Sequence, residues 1–146
     1  MNQALKSALS NFSFRNGELI AGGVPLASLA EEHGTPVYIY DTDIIRKKCQ
    51  ALRDHLPRNL KIYFAVKANP HAEVIRLLGD LCDGFDVASS GEAERVIQAG
   101  IDPEKISFAG PGKTLAELRY SIDQKIGALS IESEREFDHI RTICKR

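Results

Sequence analysis

Hydrophobic and polar positions fall into two textures along the chain. Up to residue 40 the apolar residues come in short groups. Phe12 and Phe14, then Leu19 and Ile20, flank Asn16-Gly17, which predicts a β-hairpin. Residues 25–33 have helical spacing and stop at Gly34, with Thr35-Pro36 beyond it. Val37-Tyr-Ile-Tyr40 is a β-rich run. Asp41, Thr42 and Asp43 offer N-caps for a helix through Leu56, whose apolar stripe is Ile45, Cys49, Leu52 and Leu56.

From Leu60 a regular rhythm sets in. Strand-like runs at 61–66, 84–88, 105–109 and 128–132 alternate with helix-like runs at 71–81, 91–99, 114–123 and 133–145. Strands alternating with helices imply a parallel sheet with helical crossovers. Period two separates the strand faces. Ile62, Phe64 and Val66, Phe85 and Val87, Ile106 and Phe108, and Leu129 and Ile131 form bulky apolar faces. Their opposites are small or polar: Tyr63, Ala65 and Lys67; Gly84, Asp86 and Ala88; Ser107 and Ala109; Ala128, Ser130 and Glu132. A doubly wound sheet carries helices on both faces and is apolar on both. One covered face and one small, polar face suit a barrel wall. The expected fold is α/β: about four units of a (β/α)8 TIM barrel over residues 42–146, after a short β-containing segment at 1–41.

Length sharpens this. A complete barrel needs about 250 residues, and 146 residues hold roughly half of one. Hydrophobic residues at 43% and charged residues at 27% are those of a packed domain. Nineteen basic against twenty acidic side chains leave a net charge of −1, so nothing global attracts nucleic acid or an anionic membrane. No apolar run approaches the roughly 18 residues of a membrane helix, and residues 1–10 lack the apolar core of a secretory signal. Cys49, Cys82 and Cys144 are odd in number and dispersed, as are His33, His55, His71 and His139. No disulfide framework and no metal site are expected, and the cytoplasm is the expected compartment.

Three places could carry chemistry. Lys67 ends the first strand on the inward face, above the small Ala65, at the strand end where such folds place ligands. It is a surface lysine closing a strand, or a desolvated amine nucleophilic toward a carbonyl. Asp86 lies inward on the adjacent strand. It neutralises Lys67, caps the helix after Ser89-Ser90, or positions the lysine for chemistry. Phe108-Ala-Gly-Pro-Gly-Lys113-Thr114 invites a phosphate-loop reading, but that motif needs glycine where Ser107 stands. A glycine-rich turn into a helix capped by Thr114 is favoured, with a weak anion site at that helix start left open. Glu92 and Glu94 decorate a first helical turn. Ser130 and Glu132 are candidates to line the pocket.

Tyr63-Phe-Ala-Val-Lys-Ala-Asn69 resembles the lysine motif of the alanine-racemase-like (fold type III) pyridoxal-phosphate decarboxylases. Gly34-Thr-Pro-Val-Tyr-Ile-Tyr-Asp41 resembles the opening of their diaminopimelate decarboxylase branch, and Gly84-Phe-Asp-Val-Ala-Ser-Ser-Gly-Glu92 their second-strand motif. The resemblance runs from about Phe14 to the end. It implies that Lys67 binds pyridoxal 5'-phosphate through its amine, with Asp86 beside it and Ala65 beneath. It implies residues 1–41 belonging to the family's β domain, an amino-acid substrate such as meso-diaminopimelate giving lysine and carbon dioxide, and a homodimer. It also implies that the ring-stacking histidine, the phosphate site and the acid partner of the ring lie beyond Arg146, so the 146 residues alone are expected to be inactive. Ala109-Gly-Pro-Gly-Lys113 is similar to paralogues of exopolysaccharide or protein-sorting loci. A decarboxylase of that kind or of polyamine synthesis, and a non-catalytic pyridoxal-phosphate module, are the alternatives.

Overall fold

The computed structural model describes residues 2–145. The chain divides into two compact units, Met1–Leu56 and Pro57–Arg146.

The first unit begins with helix α1 (Gln3–Leu9), which the apolar pattern does not predict and which buries nothing. Strands β1 (Ser13–Arg15) and β2 (Glu18–Ala21) pair antiparallel, with Ser13 opposite Ile20 and Arg15 opposite Glu18. Asn16 and Gly17, at φ 52° and 82°, form the turn. Two successive positive φ values match the strand twist and are tolerated by this residue pair. Gly22 and Gly23 repeat the device, at 57° and 84°, and bring β3 (Val24–Pro25) onto β2. Helix α2 (Leu26–His33) ends at Gly34. Val37-Tyr-Ile-Tyr40 forms no strand: it meets no ladder among the described residues, and Tyr38 is 87% exposed. Helix α3 (Thr42–His55) starts at Asp41, whose Oδ1 accepts the N–H groups of Asp43 and Ile44. Its Oδ2 accepts the Gly22 N–H at 2.7 Å and ties the second turn to the helix start.

In the second unit, strands β4 (Tyr63–Ala65), β5 (Gly84–Val87), β6 (Ile106–Phe108) and β7 (Ala128–Leu129) form a parallel sheet in that order. Helices α4 (Ala72–Gly79), α5 (Ser90–Gln98), α6 (Leu115–Asp123) and α7 (Glu134–Cys144) follow the strands one by one. Each strand lies beside the next in sequence. Right-handed crossovers then place every helix on one side. A doubly wound sheet reverses its order partway; this one does not, and the order is that of a barrel wall. Phe85, Val87, Ile106 and Phe108, all at most 1% exposed, fill the space toward the helices with Ile75, Val96 and Leu118. Phe64 meets Phe85 edge to face at 6.3 Å. Gly84 is required by close approach: a Cβ there would collide with the Lys105 carbonyl and the Tyr63 ring.

Candidate active site

The small, polar strand positions come together as a row. Ala65 lies opposite Asp86, Asp86 opposite Ser107, and Ser107 opposite Ala128. With Tyr63 these residues line one open cavity on the face away from the helices. The inward face read from period two is therefore the ligand-accessible face of the sheet.

Lys67 departs from its expected place. It does not end a strand; it sits in a 3-10 turn, Val66–Ala68, beyond β4. The alternation of faces stops at Ala65 because the chain bends. Val66 is fully buried and holds the turn, and the Asn69 N–H donates to the Val66 carbonyl at 3.0 Å. Asn69 is extended, as a residue before proline must be, and its Oδ1 accepts the His71 N–H at 3.0 Å. Lys67 stands exposed on this turn, just past the Ala65 end of the row.

The two bland readings of Asp86 both fail. It forms no ion pair with Lys67, and α5 is capped instead by the Ser89 hydroxyl, which accepts the Glu92 N–H at 3.2 Å. Among the described residues, no hydrogen bond or salt bridge engages the side chain of Lys67 or Asp86. A half-buried carboxylate without a partner disfavours the fold. A polar group left unpaired in a fold calls for an explanation, and a bound ligand is one.

The glycine-rich turn after β6 is not a phosphate cradle. The Gly110 N–H donates to Glu132 at 3.2 Å and the Lys113 N–H to Glu136 at 3.1 Å. The Lys113 ammonium is buried. It donates to the Gly110 carbonyl at 2.6 Å and to Glu136 at 3.2 Å, and lies 5.8 Å from the Phe108 ring centre. The protein's own carboxylates fill the place a phosphate would take. The start of α6 is likewise taken. Thr114 and Glu117 form a reciprocal capping box, and Glu117 also accepts the Ser90 N–H at 3.3 Å. The Thr114 N–H above all, then the Thr114 hydroxyl and the Ser90 N–H, hold the Glu117 carboxyl below the ordinary range. For Glu136 the Glu132 N–H leads, with Lys113 next.

The lesser candidates resolve as scaffolding. Glu92 accepts the Ala88 N–H at 2.8 Å, and Glu94 pairs with Gln98. Neither Ser130 nor Glu132 lines the cavity beside Asp86, because β7 ends at Leu129. Glu136 was invisible to residue-by-residue reading. Its signal is a repeat: Ser89, Thr114 and Ser133 each stand three residues before Glu92, Glu117 and Glu136. That spacing is the capping-box signature, and here the glutamates also hold the loops at the carboxyl ends of the strands. Among the described residues no His, Cys, Asp or Glu group is placed to hold a metal, and no helix is long and apolar enough to cross a membrane.

A singly wound parallel wall with an exposed lysine just past the end of its first strand and a carboxylate in its open cavity narrows the class, and comparison with known proteins identifies it. Residues 42–146 match the family described as the pyridoxal-binding domain of pyridoxal-dependent decarboxylases, and the chain belongs to that family. It is 40% identical, over 142 residues, to a diaminopimelate decarboxylase of Aquifex aeolicus, covering 97% of this chain and 34% of the relative. A solved diaminopimelate decarboxylase from M. jannaschii superposes with a TM-score of 0.88 at 27% identity, over 95% of this chain and 34% of the other. One from Helicobacter pylori, complexed with L-lysine, does so at 0.73 and 34% identity, over 82% and 31%. The chain spans about a third of the length of these relatives. The parallel sheet and its helices are thus part of a TIM-barrel decarboxylase fold.

Proposed function

We propose that this chain carries the cofactor-binding lysine of a pyridoxal-phosphate-dependent amino-acid decarboxylase, with meso-diaminopimelate as substrate and L-lysine and carbon dioxide as products. The observation that carries the reading is the presence of two unengaged groups on neighbouring units, the exposed Lys67 amine just past β4 and the Asp86 carboxylate across the ladder from Ala65. Several relatives are diaminopimelate decarboxylases. The L-lysine seen in the Helicobacter pylori relative supports an amino acid with a second polar end.

The residues fit the cofactor. Lys67 offers a primary amine that no other group occupies, for bonding to an aldehyde. Ala65, two residues before it, has a side chain too small to fill the space above its strand. Asp86, directly across the ladder from Ala65, supplies negative charge in the cavity that Ala65 also lines. Pyridoxal phosphate, when bound, accepts the electron pair left as a carboxylate departs. Lys67 then has two tasks, holding the cofactor and moving a proton; Asp86 orients the amine. In this reading residues 1–41 belong to a β domain and 42–146 to the barrel. The whole protein is a cytoplasmic homo-oligomer, and the 146 residues alone release no carbon dioxide.

The test is a titration of the purified chain with pyridoxal phosphate, followed by borohydride reduction and counting of retained cofactor. We expect saturation near one per chain, loss in Lys67→Ala, and lower retention when L-lysine or meso-diaminopimelate is present before reduction. Equal retention by wild type and Lys67→Ala contradicts the reading.

A further inference from the structure

Lys113 is the one buried lysine among the described residues, and Glu136 is its buried partner, 23 residues away. Their side chains are 2% and 4% exposed. A buried cation and anion are tolerated only when the remaining hydrogen-bonding capacity of both is met. Here much of it is. Lys113 Nζ reaches Glu136 Oε2 and the Gly110 carbonyl. Glu136 Oε1 accepts the Lys113 N–H, and Oε2 also accepts the Glu132 N–H at 2.9 Å. Glu132 in turn accepts the Gly110 N–H. Backbone groups of two neighbouring loops, after β6 and after β7, thus end on the same few side chains.

Those loops sit at a consequential place. The ladder continues past the strands to their roots, where the Ala109 N–H donates to the Val87 carbonyl at 3.0 Å and the Ser130 N–H to the Phe108 carbonyl at 2.9 Å. Ala109 and Ser130 lie two positions beyond Ser107 and Ala128 of the cavity row, as Lys67 lies two beyond Ala65. The intervening Gly110 and Gly112, at φ 115° and 77°, have no side chains to set the loop by packing. The Lys113–Glu136 pair does that in their place.

We propose that Lys113 and Glu136 are a positioning pair. They lock the loops after β6 and β7 into one rim at the ligand end of the sheet, and through that rim set how firmly a ligand on Lys67 is held. Lys113 itself is a bound cation and no second nucleophile: its ammonium donates to two acceptors and faces an aromatic ring. The link to Lys67 rests on the cofactor reading above; the locking of the loops does not.

The experiment uses the full 146-residue chain and Lys113→Met, which keeps the aliphatic stem and removes the ammonium. Amide hydrogen exchange is followed at Gly110, Lys113 and Glu132, and retention of reduced pyridoxal phosphate is titrated in parallel. Exchange is expected to rise about tenfold or more at Gly110 and also at Glu132, in the neighbouring loop. Half-saturation is expected at a several-fold higher cofactor concentration, with the label still on Lys67. Faster exchange at Gly110 alone overturns the locking of two loops. Faster exchange in both loops with an unchanged midpoint reduces the pair to a structural one and overturns its positioning role. If wild type retains no cofactor, the site reading and the link to Lys67 fail together, and the Glu132 exchange still decides the locking. Should Lys113→Met not fold, Glu136→Gln, which keeps side-chain shape, is judged by the same two measurements.

Discussion

Asp86 illustrates best what one residue can reveal. Its carboxylate is half-buried at the middle of a strand ladder, yet neither Lys67 nor the cap of α5 uses it. Groups kept against the interest of stability mark function. Neutralising it should therefore leave the fold intact and weaken the site. In Asp86→Asn the unfolding free energy is expected to stay within about 0.5 kcal/mol of wild type or to rise, while cofactor retention falls. A melt and a retention titration on one preparation check both. A large loss of stability would mean that Asp86 has a structural partner after all. Lys67 and Asp86 were both legible in the sequence, from strand parity and small neighbours. The bend that carries Lys67 out of its strand was not, because it depends on the Asn69 N–H closing onto Val66 and on the burial of Val66.

At the scale of elements, caps decide where helices begin. A cap is a local event, so the caps at Asp41 and Thr114 are legible in the sequence, as is the hairpin turn at Asn16-Gly17. Helix α1 has no apolar stripe to predict it, and Val37–Tyr40 has the propensity of a strand without being one, because propensity says nothing about whether a partner edge is present. Asp41 also makes a pH prediction. The Gly22 N–H first, with those of Ile44 and Asp43, holds its carboxyl pKa below the ordinary value. A depressed folded-state value means that the contribution is complete above the unfolded carboxyl range, near 3.9, and is lost as pH falls through the folded value. The first unit should thus lose helix content below about pH 4, monitored by circular dichroism, and Asp41→Asn should flatten that limb. At neutral pH, Thr114→Ala removes the capping box of α6 and should cost about 0.5–2 kcal/mol, read from denaturant midpoints. No change would show that Glu117, through its bond to Ser90, holds the helix start alone.

The molecule as a whole repeats one pattern. Each strand–helix unit turns bulky residues toward its helices and small or polar ones toward the open face, and consecutive units add side by side. That was legible from period two alone. The stitching between units was not, since Lys113 and Glu136 stand 23 residues apart and Ser90 and Glu117 stand 27; only the recurring Ser/Thr-x-x-Glu spacing hints at it. The wall so built offers an amine at its rim and small residues below. Peptide mapping of the chain after incubation with pyridoxal phosphate and reduction with borohydride tests this account most directly. The account predicts the label on the peptide containing Lys67 and none on Lys113. A label on Lys113 or on scattered surface lysines, or none at all, would contradict it.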